Sequence, residues 1–327
     1  MKKLINDPGD LVSQMMDGMV AAYGGSIRRI PDAAVLVRTT IETDKVALLV
    51  GGGSGHEPVY HGFVGLNMAD GAAVGNIFAA PSPDIIVAAT KAIDKGQGVL
   101  YVYGNYAGDN MNFDIGSELA GEEGILIKTV RIADDVATDD RADRRGIAGL
   151  LFVVKIAGGA CATVDSLDEA ARITKKAEEN VRSMGIALSA GSLPETGEPT
   201  FILGENEMEI GMGLHGEPGV SRGPMMPADR IVDEMMERII ADLPFQGGDE
   251  VAVLINDLGA TTIMELLIIN RRVHEILHDH SIAVYDTIIG KYCTCQEMAG
   301  ASISLLRVDD ELKKYYDMPA NSFAFRK

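Results

Sequence analysis

The chain has 327 residues, 46% hydrophobic and 24% charged, an ordinary composition for a soluble globular protein and enough for two domains of usual size. Its 29 Lys and Arg against 48 Asp and Glu give a formal charge of −19, which argues against nucleic acid as a partner, because phosphate backbones are held by clustered cations. Acidity leaves phosphoryl chemistry open, since backbone N–H groups can hold a small anion.

The opening segment, Met1 to Pro8, has a basic pair but no apolar stretch behind it, so it does not read as a signal peptide. Asp7 as N-cap, Pro8 at the first position and Gly24-Gly25 at the end predict a first helix. Short apolar runs at 34–38, 46–50, 71–74 and 99–102 read as buried strands. Helices are expected from Ser82-Pro83 to about Lys95, and from Asp114 to Glu123. This alternation is the pattern of a layered α/β sheet. A polar stretch at 134–145 interrupts it, and helices are expected near 146–160 and 166–183.

The Gly/Pro/Ser-rich segment Ser189 to Pro199 is the best boundary in the sequence. Two α/β domains, each a mixed sheet flanked by helices, are therefore expected at 1–188 and 189–327. In the second, residues 207–214 lead into a loop, helices run over about 227–242 and 261–280, and strands cover 251–255, 282–289 and 302–307. No apolar run approaches the roughly 18 residues needed to span a membrane, so no membrane partner is expected. An odd, sparse set of three cysteines fits a reducing, cytoplasmic location. Cys293-Thr-Cys295 lacks further ligands, so buried, inert thiols are expected rather than a metal site.

Three glycine-rich segments carry chemistry. Gly51-Gly-Gly-Ser-Gly-His-Glu-Pro58 follows a strand, where glycines let backbone approach a ligand and offer free N–H groups. It is not a phosphate-binding Walker loop, because no Gly-Lys-Ser/Thr follows, and His56 stands where a dinucleotide fingerprint or a nucleophile elbow needs glycine. A mere turn needs less than four glycines, a serine and a histidine. Gly104-Asn-Tyr-Ala-Gly-Asp-Asn-Met-Asn112 follows another strand; Asp109 there is either a base for a substrate hydroxyl or an N-cap for the next helix. In Gly211-Met-Gly-Leu-His-Gly-Glu-Pro-Gly219, His215 lies off any apolar helix face and beside Glu217, as a nucleophile, base or ligand would.

His274-Glu-Ile-Leu-His278 matches H-E-x-x-H literally, with His280 beyond it. The apolar stripe of that helix is Leu266, Ile269, Val273, Ile276 and Leu277, so the histidines lie off it. They fall at the helix end, where cations suit the macrodipole. No third ligand follows at a recognised spacing, and solvated helix-end histidines are expected.

Taken in order, Gly51 to Pro58, Asn105-Tyr106 with Gly108-Asp109, and His215-Gly-Glu-Pro-Gly219 make the chain resemble the substrate-binding subunits of dihydroxyacetone kinases. Arg144 to Ala148, Ser183 to Leu188, Asn256 to Ala260 and Glu297 to Gly300 extend the resemblance over essentially the whole length. It implies a two-domain α/β subunit, usually a homodimer, that binds a small ketose. The histidine matching His215 would attack the ketone to form a hemiaminal, that matching His56 would assist proton transfer, and the carboxylate matching Asp109 would activate the terminal hydroxyl. Gly52, Gly53, Ser54, Gly55 and Gly104 would line the substrate.

The family phosphorylates this ketose with a second, all-helical nucleotide domain, fused or separate. A chain ending at Lys327 resembles the separate-subunit form, whose partner carries bound ADP recharged by a phosphotransferase system drawing on phosphoenolpyruvate. No cofactor is expected in this chain; nucleotide and magnesium belong to the partner. Many members carry lysine just before the Asn-Tyr pair, where this chain has Gly104. Loss of that side chain is expected to open space, which makes a four-carbon tetrulose a plausible substrate. The family also holds paralogues that bind the ketone and act as transcriptional co-activators without phosphorylating it.

Overall fold

A computed structural model describes residues 2–327. Contacts divide them into two compact α/β units. One comprises the segment ending at Ile132 together with Leu151–Glu178 and Leu312–Lys327; the other comprises Ala133–Leu150 and Glu179–Glu311.

The first unit is built on a six-stranded mixed sheet. Its strands are β1 (Ile27–Arg29), β2 (Val35–Arg38), β3 (Ala47–Ser54), β5 (Gly71–Ile77), β6 (Val99–Gly104) and β7 (Ile127–Ile132), with a short β4 (Gly65–Leu66) outside it. The spatial order is β1-β2-β5-β3-β6-β7. The β5, β3, β6 and β7 strands run parallel, and β1 and β2 close one edge antiparallel. Ala47 to Val50 and Val99 to Val102 are fully buried, as strands covered on both faces must be, which is why they read as unbroken apolar runs.

Five helices accompany this sheet: α1 (Leu11–Tyr23), α2 (Pro83–Ile93), α3 (Ala107–Glu122), α4 (Leu150–Cys161) and α5 (Leu167–Glu179). Asp7 caps the turn before α1, accepting from the Gly9 N–H at 2.8 Å. Gly116 of α3 lets that helix approach α2 closely: a Cβ there would stand 2.7 Å from Ile86. Phe113 of α3 stacks on Tyr103 of β6, ring centroids 4.1 Å apart.

The second unit has its own six-stranded sheet in the order β10-β9-β8-β13-β11-β12. The strands are β8 (Val181–Ser189), β9 (Glu207–Ile210), β10 (Ser221–Pro224), β11 (Glu250–Asp257), β12 (Ala283–Gly290) and β13 (Ala299–Val308). All pairs are antiparallel except β11 with β12. Helices α6 (Ala228–Asp242) and α7 (Ile263–Asp279) contribute Val232, Met235, Met236, Val273 and Leu277 to a core with Met184, Val253, Ile255 and Ile303. A capping box joins Thr262 and Glu265 at the start of α7. The chain then returns to the first unit as α8 (Asp310–Tyr316) and β14 (Asn321–Ser322), the latter pairing with β4. No helix among the described residues is long and apolar enough to cross a membrane.

Two mixed sheets flanked by helices agree with the expected fold class, but the boundary expected after residue 188 is not where the units divide. The segment 181–189, read in part as helix, is β8, hydrogen-bonded between β9 and β13 in the second sheet. The polar stretch after Ala133 belongs to that unit too: buried Asp134 accepts from the N–H groups of Ile147 and Gly149 at 2.7 and 2.9 Å. The last sixteen residues belong to the first unit.

Candidate active site

Chain order places β5 on one side of β3 and β6 on the other, so β3 is a topological switch point of the parallel strands. In open α/β sheets the crevice beyond the carboxyl ends of such strands is the usual place for a ligand. The glycine segment is the end of β3 itself and the loop after it. Gly51 has no room for a side chain: a Cβ would meet Phe113 of α3 at 2.8 Å. At Gly53 it would meet the Ala79 backbone nitrogen, also at 2.8 Å. Gly55 has φ +100°, a conformation that excludes side chains, and its N–H donates to Glu57 at 2.9 Å.

This loop carries His56, which is 5% exposed and sits against Phe78, ring centroids 5.0 Å apart. Ser54, beside it, also has a structural bond. Its hydroxyl is buried and donates to the Gly75 carbonyl at 2.7 Å, so it ties the loop to β5.

Asp109 is not on a loop. The α3 helix begins at Ala107, seven residues before the predicted start, with Tyr106 as N-cap. Asp109 therefore lies in the first turn, and the N-cap role open to it in the sequence falls to another residue. It is 8% exposed, where the positive end of the helix dipole favours its negative charge. Because α3 follows directly on β6, the neighbour of β3, Asp109 and the His56 loop both rise from carboxyl ends of adjacent strands. Gly104 ends β6. The space beside it is filled, not open: a Cβ would stand 3.0 Å from the Tyr106 ring and 3.2 Å from the Tyr60 hydroxyl. The expectation of added room at this position is corrected accordingly.

In the second unit, β9 and β10 form a hairpin whose connecting loop carries His215. The His215 Nδ1 lies 3.0 Å from one Glu217 carboxylate oxygen, and the His215 backbone N–H donates to the other at 3.0 Å. A carboxylate only accepts, so Nδ1 bears a proton, and it is in the neutral ring that Nε2 carries the lone pair. Burial opposes the Glu217 charge, but the hydrogen bond and charge of His215 outweigh it and hold that carboxyl at about 2. The loop is braced from beneath by Arg145, which donates to the Gly211 carbonyl at 2.8 Å and pairs with Asp135 at 2.7 Å. Burial pushes Asp135 up to about 6 despite that partner.

The remaining sequence motifs do not converge on a site. His274 bonds Thr287 at 3.1 Å, Glu275 is taken by Arg271 and Arg272, and the His278 side chain is 90% exposed. Among the described residues no group of three His, Cys, Asp or Glu is placed to hold a metal ion. The three cysteines are buried, as expected, and burial pushes the Cys161 thiol up to about 12.

Sequence reasoning passed over Tyr60 and Arg145, and treated Glu217 only as a neighbour. A non-glycine residue at φ +64° signals Tyr60, but that angle is invisible in sequence.

His56 and Asp109, raised from the carboxyl ends of adjacent parallel strands at a switch point, and a hairpin loop whose imidazole pairs with a carboxylate are arrangements by which α/β proteins hold ligands. The family follows from comparison. The Dak1 domain model matches residues 17–324, and the chain belongs to the Dak1 domain family. It is 45% identical to the dihydroxyacetone-binding subunit DhaK of PTS-dependent dihydroxyacetone kinase 2 of Listeria innocua, over 100% of this chain and 99% of that one. Among solved structures it resembles the native dihydroxyacetone kinase of C. freundii, with TM-score 0.93 and 30% identity. That match covers 99% of this chain, which spans 60% of the other's length. It also resembles the dihydroxyacetone kinase operon co-activator Dha-DhaQ, with TM-score 0.91 and 28% identity over 98% of this chain and 99% of that one.

Proposed function

We propose that this chain is the substrate-binding subunit of a dihydroxyacetone kinase and holds dihydroxyacetone, or a related small ketose, as a hemiaminal on His215. The observation that carries this reading is the His215–Glu217 pair, in which a carboxylate on Nδ1 orients the ring for attack through Nε2. Attack by Nε2 on the ketone carbon forms the N–C bond while the carbonyl π pair moves to oxygen, which takes up a proton, a transfer that the family resemblance assigns to His56. The ring becomes cationic, and Glu217 faces that charge. A ligand so bound must contain an electrophilic carbonyl, which distinguishes dihydroxyacetone from glycerol.

Asp109 would then accept the proton of the terminal hydroxyl as its oxygen attacks the phosphoryl group, and positioning supplies most of the rate. The phosphoryl donor is nucleotide held with magnesium by an all-helical partner subunit. Likeness along the full length of a PTS-dependent subunit favours a phosphoenolpyruvate-driven partner over free ATP. We further propose a cytoplasmic homodimer.

A co-activator that binds the ketone without phosphorylating it is the second reading, favoured by likeness to such a protein. Phosphorylation assays with the nucleotide-bearing partner decide between them. The kinase reading expects turnover in the wild type and a loss of about 10²–10⁴-fold in Asp109→Asn, the usual worth of a general base. A wild type that forms the adduct but never turns over assigns the chain to the co-activators.

A further inference from the structure

Gly52 lies near the end of β3, level with Gly104 at the end of β6. The register pairs Val50 with Val102, and each glycine lies two residues further on. A single side chain covers both. A Cβ at position 52 would stand 2.9 Å from the Tyr60 hydroxyl, and one at position 104 would stand 3.2 Å from the same oxygen. The phenol therefore lies across the ends of both strands, at the edge where the His56 loop and the Asp109 helix begin.

Tyr60 holds this position in a backbone conformation of φ +64° and ψ −87°, which an aromatic residue adopts only when its surroundings impose it. Those surroundings are present. Gly62 N–H donates to the Pro58 carbonyl and Phe63 N–H to the Tyr60 carbonyl, both at 2.9 Å, and the residue is 7% exposed. Backbone strain fixes where the phenol sits, and two glycines leave it room.

We propose that Tyr60 is the specificity-determining residue of the ketose crevice: its phenol closes the floor between Gly52 and Gly104 and restricts the substrate to three carbons. This rests on the ketose-kinase reading above. With glycine on both strands, the free volume at this edge is set by side chains, the Tyr60 phenol over both glycines and the Tyr106 ring beside Gly104, not by the sheet. Added substrate carbon must occupy the place the phenol holds. Tyr60 is not required to take part in bond making.

The test is phosphorylation of dihydroxyacetone and of the four-carbon ketose erythrulose, with the nucleotide-bearing partner, by wild type, Tyr60→Phe and Tyr60→Ala. Wild type should prefer the three-carbon ketose by kcat/KM, and Tyr60→Phe, which removes only the oxygen over the two glycines, should shift that ratio less than Tyr60→Ala. Tyr60→Ala should shift the ratio toward erythrulose about tenfold or more, the usual effect of one added carbon on a closed pocket. Tyr60→Leu, which keeps apolar contacts, serves if the alanine variant does not fold, and should shift it the same way. A ratio unchanged in folded Tyr60→Ala or Tyr60→Leu, with wild type active, overturns the assignment alone. A wild type that phosphorylates neither ketose overturns the kinase reading and this assignment with it.

Discussion

Replacing Glu217 by Gln tests how His215 is made nucleophilic. The substitution keeps an oxygen to accept from Nδ1 or from the backbone N–H, both now 3.0 Å from the carboxylate, but removes the charge. A hydrogen bond to a charged group is worth about 1.5–3 kcal/mol. With 36% of the Glu217 side chain exposed, solvent screening reduces this to about 1–1.5 kcal/mol. The dissociation constant of the dihydroxyacetone adduct should therefore rise about tenfold at pH 7, since about 1.4 kcal/mol is a factor of ten. Ligand titration followed by intact-mass analysis reads this directly.

The pH dependence has a definite sign. The folded-state pKa of Glu217 is depressed from 4.5 to about 2, so its contribution to stability is complete above about pH 4.5 and is lost as pH falls toward 2. The stability gap between wild type and Glu217→Gln should shrink across that window. An adduct equally tight in both proteins at pH 7 would refute the orienting role of Glu217.

Two further outcomes follow from the same geometry. Gly55→Ala forces an L side chain into φ +100° with its Cβ 2.6 Å from the Phe78 ring, and should cost about 2 kcal/mol or more, seen as a lower urea midpoint at unchanged slope; a midpoint equal to wild type contradicts the strained-loop account. Cys161, Cys293 and Cys295 should resist iodoacetamide at pH 8 in the folded protein and all react after denaturation, and labelling of the native chain would contradict their burial.

Much of the first sheet was legible in the sequence because parallel strands buried on both faces leave continuous apolar runs, as Ala47 to Val50 and Val99 to Val102 do. The strand Val181–Ser189 was not: it follows α5 with only Asn180 between them, and Arg182, Ser183 and Gly185 interrupt its apolar pattern. The unit boundary was hidden for a related reason. Linear reading assumes that neighbours in sequence share a core, whereas here the chain leaves the first unit after Ile132 and after Glu178, and returns twice. The α3 start was missed because Gly104 and Gly108 weigh against a helix, and Tyr106 at the N-cap makes no side-chain capping bond that would mark it.

His56, Asp109 and His215 stood out in the sequence as candidates because glycines lie close to each of them. Tyr60 did not, because its importance lies in a backbone angle and in what it covers. Ser54 carries a structural bond that the sequence did not announce, its hydroxyl donating to the backbone of β5.

The central claim, a carbon–nitrogen bond between the ketose and His215, is tested most directly by carbon-13 NMR of dihydroxyacetone labelled at its carbonyl. Bound to the wild type, the label should lose its ketone resonance and appear as a tetrahedral hemiaminal carbon, while His215→Ala should leave it a ketone or a free hydrate. A ketone resonance that persists in the saturated wild-type complex would contradict the account.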